Sequence, residues 1–330
     1  MSIATAIANA QARVEAAYDA LEAKGATMPA TQNLANMPNA IQSIQTGGDE
    51  SALLVKIKGY TAEDVTLPSG LAYKYALEGL FYYNTNIKYV TIPTNITRIG
   101  WGAFTQASSL LRINSSTNGV VNLWEGITEL AEYCFRGCSK ITSVNIPSTV
   151  TTLGGYIFQG CSLLANVDFS SATSLKYING AYVFRDCTSL TSIDMSAVTL
   201  VTTWGANLFQ GCTSLVSAVL PPNLTATNSN TFYGCRSLAS IRIPDSVTSI
   251  GASCFYNCNN LLVIDFGNTR ASVPTLSNIN AFYTTNATTI SDRKIIVPDA
   301  LYSSWIAANN WKNTTYGIKN QIIAYSDYYN

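Results

Sequence analysis

Histidine is absent from this 330-residue sequence. That removes the usual general base at neutral pH, the Ser-His-Asp and Cys-His nucleophile pairs, and the commonest metal ligand. Charge is scarce as well. Only 12% of residues are charged, and the 19 basic ones balance the 19 acidic ones. Soluble domains ordinarily carry about a quarter. A neutral chain with scattered charges has no electrostatic footprint for nucleic acid or for an anionic membrane surface. No run of roughly 18 apolar residues exists, so membrane insertion is not expected. Phosphate loops and dinucleotide fingerprints are missing, because Gly47-Gly48 and Gly154-Gly155 are isolated pairs without the required spacing. No cofactor is expected. The stretch Met1–Ala10 has no Lys or Arg and only an interrupted apolar run, which does not read as a secretory leader. The product is therefore expected to stay in a reducing cytosol until assembly or lysis. In that setting the sequons at Asn95, Asn114, Asn223, Asn286 and Asn313 say little.

What the chain does have is a repeat. The stretch Phe135-Arg-Gly-Cys138-Ser-Lys-Ile141-Thr-Ser-Val144-Asn-Ile146-Pro147 returns as Phe232-Tyr-Gly-Cys235-Arg-Ser-Leu238-Ala-Ser-Ile241-Arg-Ile243-Pro244. The key Phe falls at 81, 104, 135, 158, 184, 209, 232, 255 and 282, with four of the eight spacings equal to 23 and the others between 25 and 31. One structural unit per period, stacked along one axis, is the expectation. Within a unit, Phe-x-x-Cys-x-x-Leu places apolar residues three apart, which suits one or two helical turns facing inward. Val-x-Ile-Pro then alternates as a short strand with one buried face, and Pro ends it. A second apolar pair closes the coil, Val150 with Leu153 or Val247 with Ile250, followed by Gly154 or Gly251. No unit can bury its apolar face alone, so the coils must stack.

This pattern, followed by Val-x-x-Ile-Gly, resembles the BspA-type leucine-rich repeats of bacterial surface proteins and phages over roughly residues 60–300. The resemblance implies an α/β repeat solenoid of about nine coils of ~23 residues, right-handed and β-rich. Lys294-Ile-Ile-Val-Pro298-Asp-Ala-Leu-Tyr302-Ser-Ser-Trp305 looks like that family's closing unit, with a helix and a final strand, Gln321–Ala324, covering the last coil. Asn84, Ala107 and Thr285 replace Cys in the end units, as expected of coils that face solvent or a cap. Residues 114–126 add about eight residues and are expected to protrude as a loop. The expected organisation is an anchor over 1–46, a linker and capping coil over 47–80, the solenoid over 81–290 and a C-terminal cap over 291–330.

The N-terminal segment has a pattern of its own. Ile3, Ile7, Ala10, Val14, Ala17 and Leu21 alternate by four and three, a heptad seam with Ser2 as cap and Gly25 as stop. Two readings stand: a helical hairpin capping the first coil, or an anchor that oligomerises, as a trimer by preference, or docks into a larger particle through Ile3, Ile7, Val14 and Leu21. Gly25-Ala-Thr-Met-Pro-Ala-Thr-Gln-Asn-Leu34, leading to Ile41-Gln-Ser-Ile44, resembles the short N-terminal module of phage tail and virion proteins. That resemblance implies a virion component partnered by other virion proteins and assembled in the host cytoplasm; the alternatives are a bacterial surface adhesin and, less favoured, a polysaccharide-degrading enzyme using Asp168 and Asp194.

Candidate chemistry is thin. Cys138, Cys161, Cys187, Cys212, Cys235 and Cys258 share one repeat position and are expected as an inward ladder of free thiols, not as metal ligands or disulfides. Cys134 and Cys254 each precede a key Phe. The exposed strand centre reads Thr91, Asn114, Asn145, Asp168, Asp194, Val219, Arg242, Asp265 from coil to coil. From this column Asn145, Asp168, Asp194, Arg242 and Asp265 are candidate binding residues. Asp168 and Asp194 should sit on neighbouring coils near the carboxylate separation of retaining glycosidases. A solvated Asp ladder or a weak cation site on a flat polar sheet explains them more simply. A non-enzymatic role is the expectation. Nineteen Tyr and five Trp, amid much Asn, Ser and Thr, suit contact with a host glycan or protein, although many of these rings belong to the core.

Overall fold

The computed structural model describes residues 61–67, 77–284, 291–313 and 318–329. The anchor residues Ile3, Ile7, Val14 and Leu21 and the substituted Thr285 lie outside them. Short strands stack in parallel into a β-solenoid of about ten turns. Each Val-x-Ile segment supplies a rung to a first ladder, for example Ser143–Asn145 paired in register with Asn166–Asp168. Alternation does the sorting: Val144 and Ile146 are buried while Asn166 and Asp168 face out. A second parallel ladder runs through the other apolar pair, with Thr152–Leu153 between Glu129–Leu130 and Tyr177–Ile178. Gly154 follows that rung for a steric reason, since a Cβ there would stand 2.5 Å from the backbone nitrogen of Glu132 in the preceding coil.

The core is a column of rings. All nine key Phe side chains are buried, and successive rings stack nearly parallel with centroids 4.9–5.7 Å apart. Each such pair contributes about 0.5–1.5 kcal/mol beyond its burial. Beside the rings runs the expected thiol ladder. All eight cysteines are buried and free, and the thiols of the shared position donate to the carbonyl of the preceding coil's Phe at 3.0–3.2 Å. Cysteine thus serves as a small hydrophobe that also satisfies a buried acceptor.

Two expectations need correction. The Phe-x-x-Cys stretch is not helical. Tyr133, Phe135 and Gly137 donate their N–H groups to Gly155, Ile157 and Gln159 of the next coil, while Arg136 and Cys138 close turns onto Tyr133 and Phe135. A spacing of three fits this chain of turns as well as it fits a helix, because both turn the chain inward every third residue. The insertion, too, is more than a protruding loop. Val120–Val121 forms an extra rung between Arg112–Ile113 and Ser143–Asn145, with Ile113 and Val121 as partners and both buried. Its tip, Ser116–Asn118, is exposed, as are Asn122 and Glu125 after the rung. The apolar Val121 explains this, since in a plain loop it would be left in water. The second ladder gains no rung there, because Arg98–Ile99 pairs directly with Glu129–Leu130.

At the C-terminal end the strand Ile322–Ala324 is followed by a short helix, Tyr325–Tyr329. Lys294–Val297 and Ile322–Ala324 add two parallel rungs, and Trp305 and Trp311 bury themselves against Phe266 and Phe282. With no further coil to supply a thiol, Arg293 takes over its task, donating to the carbonyls of Phe282 (2.6 Å) and Leu261 (2.8 Å). Burial lowers the pKa of this guanidinium to about 10.

Candidate functional site

The expected exposed column exists, but structural hydrogen bonds occupy most of it. Asn145 is half-buried; its amide accepts from Leu123 N–H at 2.8 Å and donates to Leu123 O at 2.9 Å, closing the preceding rung. Asn114 does the same for Ile92. Asp168 and Asp194 are exposed on adjacent strands. Each carboxylate accepts from a backbone N–H two residues on, Ser170 and Ser196, both at 2.9 Å. These are Asx turns that steer the chain out of the strand. The Ser170 backbone and hydroxyl hold the Asp168 carboxyl below the usual range, whereas a glycosidase general acid must be pushed up. Arg242 pairs with Asp245 at 3.1 Å and Asp265 at 3.8 Å. Half-buried Asp265 also accepts from Gly267 N–H and from the Tyr329 hydroxyl. The structure thus brings Arg242 and Asp265 together, pairs Asn145 with Asp168 across one register, and sets Asp194 opposite Val219.

A second surface escaped the sequence reading. In eight of the nine coils, all but that of Phe282, the residues two before and two after the key Phe adopt left-handed backbone. Such positions favour Gly and Asn, because other residues lose about 1–2 kcal/mol there. The residue two after is Gly137, Gly160, Gly211 or Gly234 in four coils and Asn257 in a fifth, but Tyr83, Gln106 and Asp186 in three others. The residue two before is Gly79, Gly102, Asn207 or Asn230 in four coils and Ser253 in a fifth, but Tyr133, Tyr156 and Tyr182 in three consecutive ones. Those tyrosines stack at 4.6 and 4.9 Å, and Tyr82 and Trp101 extend the column. Arg136 and Arg185 lie over Tyr133 and Tyr182 at 5.9 and 5.2 Å, and Arg136 Nε donates to Gln159 Oε1 at 2.8 Å. Beside this ridge lies a shallow depression of about 300 Å³ whose lining includes Gln106, Arg136, Gln159 and Asp186 over Gly137 and Gly160. The signal in the sequence was tyrosine in the register where other coils carry Gly or Asn.

The eight thiols are chemically quiet. Burial raises all their pKa values, to about 12 for Cys161 and Cys254. Among the described residues no group of three or more cysteine or carboxylate side chains is placed to hold a metal, and no helix is long and apolar enough to cross a membrane.

The sequence matches the BspA type leucine rich repeat region over residues 58–122, 118–201 and 180–302. The chain belongs to that family. Among solved structures it is similar to a leucine rich repeat protein of Treponema pallidum, with 27% identity over 56% of this chain and 80% of that one and a TM-score of 0.45. It is similar to one from Eubacterium ventriosum, with 25% identity over 50% of this chain and 41% of that one and a TM-score of 0.42. A leucine rich cell surface protein of Faecalibacterium prausnitzii is 19% identical over 74% of this chain and 90% of that one, with a TM-score of 0.34. No curated protein matches the chain.

Proposed function

We propose that this BspA type leucine-rich repeat protein is a non-catalytic virion component that displays its solenoid surface for host attachment. The carrying observation is the contrast between inside and outside. The interior repeats one solution, Phe rings and carbonyl-bonded thiols, from coil to coil. The outward left-handed positions change from Gly to Tyr to Asn. A scaffold with a constant interior and a varied exterior is organised to present a surface, and the sheet-face carboxylates serve turns and ion pairs. The virion assignment adds the resemblance of residues 25–44 to phage tail modules, with residues 1–46 as the docking segment. Mass spectrometry of purified particles should find the chain, and deletion of residues 1–46 should abolish incorporation while the coils stay folded. Recovery of the chain from the bacterial envelope and not from particles would replace this reading with a surface adhesin of the same family.

A further inference from the structure

The depression beside the tyrosine column has the chemistry of a site for one class of ligand. Its bounds come from the register. Along the column two residues after the key Phe, the order is Gln106, Gly137, Gly160, Asp186, Gly211. Two consecutive glycines leave a gap with a large polar side chain at either end. Parallel rungs repeat at about 4.8 Å, and with the Gln106 amide lying over Gly137 the open stretch at Gly160 suits one pyranose ring of a chain. A Cβ at Gly137 would stand 2.6 Å from the Gln106 amide carbon, so the glycine lets that amide lie flat at one end. A Cβ at Gly160 would meet nothing nearer than 4.0 Å, and there the floor is open.

The wall offers donors and acceptors together. Arg136 donates only, Asp186 accepts only, and the Gln106 and Gln159 amides do both. A hydroxyl needs just this pairing, since each O–H both donates and accepts. Asp186 is already paired with Arg185 Nε at 3.2 Å, so the charges of the wall are balanced and call for neither a phosphate nor an ammonium group. Peptide side chains would find no apolar pocket, because the floor is glycine backbone. Three tyrosines in left-handed backbone complete the arrangement: Tyr133 lies beneath Arg136 and Tyr182 beneath Arg185, with Tyr156 stacked between them. They act as positioning residues that hold the guanidinium groups of the ridge. We infer that the depression bounded by Gln106 and Asp186 binds an uncharged oligosaccharide through hydroxyl hydrogen bonds. The inference rests on the attachment reading and names the ligand class of that surface.

The test uses the full chain and a panel of neutral trisaccharides: maltotriose, cellotriose, chitotriose and mannotriose. Their sulfated forms and an unrelated peptide library serve as alternative probes. The doubly substituted chain Gln106→Gly, Asp186→Gly places at both ends the residue that four other coils use there, so the fold should persist. Gly160→Asn fills the open floor with a residue tolerant of left-handed backbone. At least one neutral sugar should bind in calorimetry and by saturation-transfer NMR. Both variants should weaken it tenfold or more while circular dichroism stays native. Silence across the neutral panel, binding confined to sulfated sugars or peptides, or binding indifferent to both variants would each overturn the assignment. Host attachment that survives both variants would sink this groove and leave the attachment reading standing. Loss of all attachment by the parent chain, with sugar binding intact, would do the reverse.

Discussion

Raising the pH should unfold this solenoid through its thiols, and the size of the effect follows from their burial. Eight cysteines with an ordinary pKa near 9 are fully buried, and burial pushes every one of them up. The folded state therefore holds protons that the unfolded chain gives away. For a group raised on folding, stability is fully present below the unfolded pKa and is lost as pH rises toward the folded one. The window here opens near pH 9 and extends to about 12 for Cys161 and Cys254. One pH unit above the unfolded pKa, each withheld proton costs about 1.4 kcal/mol, so eight thiols remove on the order of 11 kcal/mol. That rivals the roughly 5–15 kcal/mol holding a typical domain together. Thiolate absorbance and far-ultraviolet circular dichroism, followed together through an alkaline titration, should change in one cooperative step above pH 9. Peptide-level hydrogen exchange should place the first opening in the coils from Cys138 to Cys258, since the coils built on Asn84 and Ala107 carry no thiol at that position. Thiolates appearing gradually around pH 9 in a chain that keeps its native spectrum would refute the reasoning, because they could not then be buried donors to the Phe carbonyls.

Three substitutions test the packing account. Phe209→Ala removes one ring from the middle of the stack and should cost about 3–5 kcal/mol; a thermal midpoint equal to the parent's would show the rings are not the core. Asn145→Ala strips the half-buried Leu123 N–H and carbonyl of their side-chain partner, and chemical denaturation should register a loss of about 1–3 kcal/mol. Tyr156→Asn sets two terms against each other: about 0.5–1.5 kcal/mol for each lost ring contact and about 1–2 kcal/mol of left-handed strain relieved. Their near-cancellation predicts a stability within about 1 kcal/mol of the parent, and a loss well beyond that would make the tyrosine column a structural spine.

Much of the interior was legible because the same residue recurs at the same phase. Nine Phe and six Cys in one register over-determine the stack, and burial does the rest. Where a pattern had one copy, or fitted two geometries, the reading slipped. Val120-Val121 occurs once, so its rung looked like loop. The 31-residue spacing from Phe104 to Phe135 exceeds 23 by eight, the offset between the partners Ile113 and Val121. That arithmetic was available but had no second copy to confirm it. The residues Asn145, Asp168, Asp194, Arg242 and Asp265 each end a strand of the ladder, with Asn145 and Asp265 half-buried and not exposed. Their hydrogen bonds to Leu123, Ser170, Ser196, Asp245 and Gly267 were not readable, because they depend on backbone direction at the strand ends.

The tyrosines are the instructive failure. Left-handed positions usually announce themselves through Gly or Asn, and Gly137, Gly160, Gly211 and Gly234 do so two residues after the key Phe. Two residues before it, Tyr133, Tyr156 and Tyr182 conceal the same conformation, so composition alone could not separate them from core rings. Aligning the coils would have exposed the conflict, because Gly102, Asn207 and Asn230 stand in the identical register. Local preference and sequence disagree at these three coils and agree at the neighbours. A repeat protein makes such disagreements interpretable, since every coil is a control for every other: ring stacking offsets the strain at these three coils without adding net stability, so packing alone gives no reason to prefer tyrosine there. In this chain the departure lies beside Arg136, Gln159 and Asp186, and it directs the search for a ligand to that face and away from the more regular sheet.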